Sequence, residues 1–228
     1  MTGVTGSGKS TTLASMVQFM NRHYGRHIIT IEDPIEFVHG DGKCLIEQRE
    51  VGIDTPSFER ALRHVVRQSP DVILIGEMRD RETIETAINA AEIGHLVLST
   101  LHTDTARQAL ARMVSYFPPY RHELIRTQLS STVQGILSQK LLLRADVEGR
   151  LPAVEIMMRS PIICELIQKN QIDKLRAAMR EDTFYGSQTY NEVLKELYES
   201  GKVELEQALA ASDRPQEMKN ELHGLSMR

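Results

Sequence analysis

The sequence contains no tryptophan, and only 5% of its 228 residues are aromatic. Proteins that stack the bases of single-stranded nucleic acid usually need such side chains. The sequence also has no basic surplus, because 31 acidic residues outnumber 27 lysines and arginines and give a net charge of −4. Domains that bind DNA or RNA usually carry a positively charged surface. These two absences argue against nucleic acid as a partner.

Cysteine and long apolar runs are scarce as well. The two cysteines, Cys44 and Cys164, belong to no C-x-x-C pattern, so we expect reduced thiols, as in a cytoplasmic protein. No run approaches the roughly 20 apolar residues of a membrane span, and no signal peptide is visible. We therefore expect a cytoplasmic chain without a membrane span. Its 41% hydrophobic residues are enough to bury one good core.

A phosphate-binding loop stands almost at the first residue. The spacing G-x-x-x-x-G-K-[ST] is met by Gly3, Gly8, Lys9 and Ser10. Glycines let backbone N–H groups turn toward phosphate oxygens, and the N-terminus of the following helix adds positive charge. We expect Lys9 to bind the β- and γ-phosphates of ATP and Ser10 to bind Mg²⁺. The predicted nucleotide-binding residues are Gly3, Thr5, Gly6, Ser7, Gly8, Lys9, Ser10 and Thr11.

Strand and helix signals alternate after this loop, which predicts an α/β fold with a mostly parallel sheet. The predicted strands are 27–31, 71–75, 95–99 and 152–157, with a possible hairpin around 43–46. The predicted helices are 9–23, 54–68, 83–93, 105–116, 120–143, 161–180 and 188–222. We divide the chain into a core of residues 1–160 and a helical C-terminal subdomain of residues 161–228.

The position of the loop leads to a further expectation. A P-loop normally follows a buried hydrophobic strand, and only Met1 and Thr2 precede it here. We expect the strand that enters the P-loop to be missing, which would leave open rows of backbone groups in the sheet. Residues 1–228 alone would then hydrolyse ATP weakly or not at all and assemble poorly.

Two carboxylates follow predicted strands and are candidates for catalysis near ATP. Glu36 comes just after the 27–31 strand and a Pro34 turn, and we expect it to orient or deprotonate the attacking water. Its alternative is a solvated acidic turn. Glu77 follows the 72–76 segment and is expected to hold Mg²⁺ through water. Its alternative is an ion pair with Arg79 or Arg81.

Histidines and arginines provide weaker candidates. His102 comes after the 95–99 strand, on the predicted ligand side, where its ring could sense the γ-phosphate. His95 lies at the opposite end of that strand, so packing and function are equally open. Arg60, Arg63 and Arg67 share one helical face, which is either a solvated face or a source of charge for a neighbouring subunit's nucleotide.

Four segments in this order carry a family resemblance: residues 3–11, 31–36, 71–79 and 95–103. The chain resembles the secretion ATPase superfamily, and within it most closely the PilT/PilU-type pilus retraction ATPases, which name these segments Walker A, Asp box, Walker B and His box. The pieces 151–157 and 186–190 extend the resemblance over nearly the whole chain.

The resemblance implies a RecA-like P-loop NTPase core that binds ATP and Mg²⁺ between the subunits of a homo-hexamer, which could include a paralogue. It implies a motor at the cytoplasmic face of the inner membrane, acting on a pilus platform protein in pilus retraction and twitching motility. The alternative is a non-hydrolytic nucleotide-binding partner in a heteromeric ring.

Residue roles follow from the same resemblance. Lys9 and Ser10 would bind phosphate and Mg²⁺, Glu36 would be the catalytic carboxylate, and Glu77 the Walker B glutamate. His95 and His102 would be the His-box histidines, and Arg63 and Arg67 would lie near the nucleotide at the subunit interface. Related assembly ATPases carry a four-cysteine zinc insertion. Between Arg144 and Leu151 this chain has six residues and no cysteine, which favours retraction.

Overall fold

A computed structural model describes residues 1–222, which form six strands and ten α-helices. The strands are β1 (His27–Glu32), β2 (Leu45–Glu50), β3 (Val72–Ile75), β4 (Leu96–Ser99), β5 (Gly135–Leu143) and β6 (Arg150–Met158). The helices are α1 (Lys9–His23), α2 (Phe58–Val65), α3 (Arg81–Glu92), α4 (Ala106–Ser115), α5 (His122–Thr132), α6 (Pro161–Gln168), α7 (Leu175–Glu181), α8 (Tyr190–Glu199), α9 (Leu205–Ala211) and α10 (Pro215–Leu222).

The predicted parallel sheet is confirmed, with strand order β2-β1-β3-β4 and every pair parallel. The strands β1 and β3 are apolar almost throughout because both of their faces are covered. On one face, Leu13 and Val17 of α1 pack against Ile28. On the other face, α2 and α3 pack against Ile29 and Ile73. The sheet therefore presents the carboxyl ends of four strands at one edge.

Two sequence-based predictions in this region are wrong. The 43–46 segment forms no hairpin. Its last residues belong to β2, which pairs with β1 in parallel within the four-stranded sheet. The predicted helix over 120–143 ends at Thr132, and residues 135–143 form β5. Strand β5 pairs antiparallel with β6 over nine residues, a contact that local helix propensity does not report. Tertiary pairing therefore decides the structure of this segment.

Two helices begin at side-chain caps that the sequence analysis did not assign. Helix α2 begins later than the predicted residue 54, because the Ser57 hydroxyl accepts a hydrogen bond from the Arg60 N–H. Asp80 accepts in the same way from Thr83 at the start of α3. Such caps satisfy N–H groups that have no partner inside the helix.

Met1 and Thr2 lie between β4 and β5 and connect the two sheets. The Thr2 N–H donates to the Leu137 carbonyl at 2.7 Å, and the Gln139 N–H donates to the Thr2 carbonyl at 2.9 Å. On the other side, the Leu101 N–H donates to the Met1 carbonyl at 2.9 Å. Beyond Met1, β4 and β5 flank a largely apolar cavity of about 610 Å³ that also touches α3, α4 and α5.

The remaining helices cover the β5–β6 pair and the outer side of α4 and α5. Tyr190 and Leu194 of α8 pack against Leu142 and Leu151 of that pair. Helices α6 and α7 join the core that α4 and α5 form. Division of the chain at residue 160 stays a prediction, and residues 223–228 of the proposed subdomain lie outside the described part. Within residues 1–222, no helix is both long and apolar enough to cross a bilayer.

Candidate nucleotide site

The P-loop runs from Gly3 to Ser10 at the carboxyl edge of the parallel sheet. Gly6 and Gly8 have positive φ angles of 78° and 86°, which few other residues adopt easily. The loop closes on itself through a hydrogen bond from the Ser7 N–H to the Val4 carbonyl at 3.2 Å. Gly8 is the N-cap residue of α1 and has no side chain to satisfy the first N–H groups of that helix. These N–H groups are therefore available to an anion.

Lys9 is buried beneath the loop. Its Nζ donates to the carbonyls of Gly3 at 2.8 Å and Val4 at 3.1 Å. Burial lowers the pKa of this ammonium, and the negative charges of Glu77 and Glu36 partly oppose that effect. Lys9 is therefore within electrostatic range of both carboxylates, and the roles in phosphate binding, metal support and water activation stay predictions. The Ser10 hydroxyl lies on the exposed first turn of α1.

Glu77 follows β3 and contacts two side chains, Arg79 and His102. Its carboxylate lies 2.7 Å from an Arg79 guanidinium nitrogen and 3.2 Å from His102 Nε2, and its side chain is 18% exposed. Burial would raise the pKa of Glu77, but Arg79 and His102 outweigh it and lower that pKa. The carboxylate is therefore held in its charged form. The ion pair with Arg79, which the sequence analysis left as the alternative, coexists with the contact to His102.

Glu36 lies in the exposed segment that connects β1 to β2. The Ile35 N–H in front of it donates to the Glu50 carboxylate at 3.0 Å, which ties this segment to the end of β2. The Glu36 side chain itself is exposed to solvent. It is therefore accessible to water, and its role beside the nucleotide stays a prediction.

The loop that carries His102 is fastened to the first residues of the chain. The Thr103 N–H donates to Thr2 Oγ1 at 2.9 Å, and the Thr2 hydroxyl lies 3.2 Å from the Leu101 carbonyl. Thr2 is fully buried. His102 is therefore positioned beside the P-loop by backbone contacts, as topology at the strand ends predicts.

Sequence reasoning missed a buried carboxylate that contacts the segment following His102. Glu155 of β6 accepts hydrogen bonds from the Ala106 N–H at 2.7 Å and from the Ser138 hydroxyl at 3.2 Å. Ala106 is the first residue of α4, so Glu155 binds a free N–H of the helix that follows His102. The alternation of buried and exposed side chains along β6 could have indicated that the Glu155 carboxylate points inward. Its partner Ala106, however, is 49 residues away in the sequence.

Three predicted candidates lie apart from this group. His95 is at the other end of β4, and its Nδ1 lies 2.7 Å from the Pro70 carbonyl. Arg63 is exposed and forms an ion pair with Glu59 of the same helix at 2.7 Å. Arg67 is exposed near the end of α2. For His95 this contact fits the packing alternative, and the role of Arg63 and Arg67 at a subunit interface stays a prediction.

The donor set fits Mg²⁺ only together with a nucleotide. Among residues 1–222 no group of three or more histidine, cysteine or acidic side chains could hold a metal by itself. Magnesium usually keeps several waters and takes one or two carboxylates plus substrate phosphates. The Ser10 hydroxyl and the charged Glu77 carboxylate match that limited requirement, since Glu77 already contacts Arg79 and His102 and is suited to bind through water.

Comparison with known proteins matches the chain to one family. The family model described as "Type II/IV secretion system protein" matches residues 1–223. The chain is 43% identical over 217 residues to the type IV pilus ATPase PilU of Pseudomonas aeruginosa, covering 95% of the chain and 57% of PilU. It is 45% identical over 216 residues to the retraction ATPase PilT of the same organism, covering 95% of the chain and 62% of PilT.

A solved structure agrees with this result. The crystal structure of the pilus retraction motor PilT with bound ADP has a TM-score of 0.90 at 47% identity, covering 96% of this chain and 62% of that one. The RecA-like fold predicted from the sequence is thereby confirmed. The chain spans about three fifths of the length of these relatives.

Proposed function

The chain belongs to the type II/IV secretion system protein family, and from this membership we propose that it is the ATP-hydrolysing part of a type IV pilus retraction motor. The observation that carries the proposal is the position of Lys9 beneath the P-loop, within electrostatic reach of Glu77 and Glu36. One cation for phosphate and two carboxylates for metal and water form the minimal set for phosphoryl transfer to water.

Each residue has a distinct role in this proposal. The N–H groups of the P-loop and the Lys9 ammonium bind the β- and γ-phosphates, and Lys9 leaves the Gly3 and Val4 carbonyls to do so. Glu36 orients the attacking water and accepts its proton. Ser10 and Glu77 would hold Mg²⁺, which would supply positive charge against the negative charge that develops on the phosphates. His102, linked to Glu77, responds to the presence of the γ-phosphate. Catalysis comes from positioning and charge neutralisation, without a covalent intermediate.

Two observations lead us to propose retraction of the pilus: the similarity to named relatives and the short connection between β5 and β6. The named relatives include a pilus ATPase and a retraction ATPase. Between Arg144 and Leu151 the strands β5 and β6 are joined without a cysteine, so no four-cysteine zinc site is built there. We infer retraction and twitching motility, carried out by a hexamer at the cytoplasmic face of the inner membrane with a pilus platform protein as its partner.

The test compares ATP turnover and nucleotide binding in the full natural chain and two variants. Lys9→Ala should weaken nucleotide binding, because it removes the buried cation. Glu36→Ala should retain binding and lose turnover, because it affects only the attacking water. Glu148→Ala is the matched control, since it removes an exposed glutamate from the β5–β6 connection.

Steady-state Mg²⁺-dependent ATP hydrolysis and direct binding of ADP supply the two readouts. Binding without turnover in the natural chain would refute the motor and favour a regulatory partner. Full turnover in Glu36→Ala would move the role of the base to another carboxylate.

A further inference from the structure

Gln139 of β5 lies directly behind the P-loop, and no part of the sequence pattern assigns it a role. Its side chain is 4% exposed and reaches across from β5 to the loop and to α1. The Nε2 amide donates to the Ser7 carbonyl at 2.7 Å, and Oε1 accepts from the Thr12 hydroxyl at 3.0 Å. Both polar ends of a buried amide are thereby satisfied.

The orientation of this amide is fixed by chemistry. The Ser7 carbonyl can only accept a hydrogen bond, so the NH₂ end of Gln139 must face it. The carbonyl end then faces Thr12, whose hydroxyl can donate. Thr12 is in the first turn of α1, so Gln139 ties the loop and the helix to the same strand.

Because the Ser7–Gly8 peptide is planar and trans, the contact of Gln139 with the Ser7 carbonyl also fixes the direction of the Gly8 N–H. The C=O of Ser7 and the N–H of Gly8 belong to one planar peptide and point in opposite directions. While Gln139 holds the Ser7 carbonyl toward β5, the Gly8 N–H must point away from β5. A P-loop binds phosphate with such inward N–H groups.

The packing around the two glycines shows how closely the loop rests on β5. A Cβ atom on Gly8 would lie 2.8 Å from the side-chain Nε2 of Gln139. A Cβ atom on Gly3 would lie 2.5 Å from the main-chain carbonyl oxygen of Gln139. Such separations are shorter than real Cβ contacts. Gln139 therefore occupies the space directly behind both glycines, and the Ser7 hydroxyl oxygen, also 2.5 Å from a Cβ on Gly3, adds to the crowding there.

We propose that Gln139 is a positioning residue for the P-loop, which fixes the Ser7–Gly8 peptide so that its N–H faces the phosphates. The inference rests on the proposed nucleotide site, and it extends that site to a residue that does not touch the ligand. Removing the amide should leave the loop closed by Lys9 and the Ser7 contact with Val4. Phosphate affinity should fall because that peptide can then rotate.

The test uses Gln139→Met, which keeps the length of the side chain and removes both polar ends. Gln188→Met is the matched control, because Gln188 donates to the Val154 carbonyl of β6 at 2.8 Å and is not among the residues of the P-loop site. Binding of inorganic tripolyphosphate and of adenosine, KM and kcat for ATP, and the melting temperature are measured for each.

We expect Gln139→Met to weaken tripolyphosphate binding about three- to tenfold, the usual effect of one lost hydrogen bond, and to raise KM by a similar factor. Adenosine binding and kcat should change little. Gln188→Met should lower the melting temperature without changing KM. Equal tripolyphosphate affinity in Gln139→Met and the unsubstituted chain would overturn the inference, as would an equal rise of KM in both variants.

A milder variant keeps the test decisive if Gln139→Met does not fold. Thr12→Val removes only the donor to Oε1 and leaves the Nε2 contact with Ser7, so the amide is held at one end instead of two, and a smaller loss of tripolyphosphate affinity is expected. No loss in that variant would refute the inference. If the unsubstituted chain itself binds neither nucleotide nor tripolyphosphate, the proposed function fails. If it binds both and only the Gln139 comparison fails, the positioning role alone is rejected.

Discussion

Replacement of Glu155 by glutamine should change how the stability of the protein depends on pH. Glu155 is 4% exposed, and its carboxylate accepts from the Ala106 N–H and the Ser138 hydroxyl. Burial raises its pKa above the ordinary 4.5, and Asp213 adds to that effect, whereas the two hydrogen bonds and Arg176 oppose it. The glutamine side chain in Glu155→Gln would keep an oxygen acceptor for both donors and could not ionise.

The direction of the pH effect on stability follows because the folded chain binds the Glu155 proton more tightly than the unfolded chain does. Above pH 4.5 the unfolded chain releases the Glu155 proton while the folded chain still holds it, so stability falls with rising pH until the folded pKa is reached. Each pH unit between the two pKa values corresponds to about 1.4 kcal/mol. For a chain of this size, 1 kcal/mol moves the melting temperature by about 2–4 °C. The Glu155→Gln variant lacks this loss.

Thermal unfolding of both proteins at pH 5 and pH 8 supplies the measurement. The melting temperature of Glu155→Gln minus that of the unsubstituted chain should be more positive at pH 8 than at pH 5, by about 3–6 °C for each pH unit separating the two pKa values. Differences in packing cancel because they are the same at both pH values. Glu148→Gln, an exposed position, controls for the loss of one acid.

Glu155→Ala supplies the second comparison. It removes the acceptor for a buried N–H and should destabilise the chain at both pH values, by about 1–3 kcal/mol. A difference between Glu155→Gln and the unsubstituted chain that stays constant or falls from pH 5 to pH 8 would show that burial does not raise the pKa of Glu155.

Two further substitutions test the core and the exposed face of α2. Leu62 is fully buried between the sheet and α3, so Leu62→Ala should lower the free energy of unfolding by about 2.7–5 kcal/mol. Denaturant titration measures this loss, and a loss below about 1 kcal/mol would contradict the packing described. Arg63 is exposed and its ion pair with Glu59 contributes little, so Arg63→Ala should change stability by less than about 1 kcal/mol. If Arg63 acts on a neighbour's nucleotide, the same variant should lower ATP turnover at unchanged stability, whereas unchanged turnover would leave it a surface residue.

Much of the parallel sheet and of the loop was predictable because the signals are local. The P-loop spacing predicts that α1 starts at Lys9, and the structure begins the helix there. Apolar β1 and β3 were found because strands covered on both faces read as continuous apolar runs. The placement of Glu77 and His102 at one edge of the sheet was also predictable, since the carboxyl ends of neighbouring parallel strands share that edge, but their contact at 3.2 Å was not predicted.

What escaped prediction depends on contacts between distant residues. The segment 135–143 has the composition of a helix, and only its pairing with β6 and with Thr2 makes it a strand. Once β5 was taken for a helix, its alternating faces were lost. Ser138 on one face reaches Glu155, and Gln139 on the other reaches the P-loop. The Gln139 contact joins β5 to a loop near the first residue of the chain, and the Ser138 contact joins β5 to β6. Periodicity within one segment carries no information about either contact.

The parallel pairing of β4 with β3 should leave its mark on amide hydrogen exchange. In a parallel strand, successive residues direct their N–H and C=O groups to opposite neighbours. The Leu96 N–H donates toward β3, to the Asp71 carbonyl, so the Leu98 N–H, two residues further on, faces β3 as well. Leu98 should therefore exchange its amide proton only when the sheet opens cooperatively, and its protection factor should approach those of the buried strands β1 and β3.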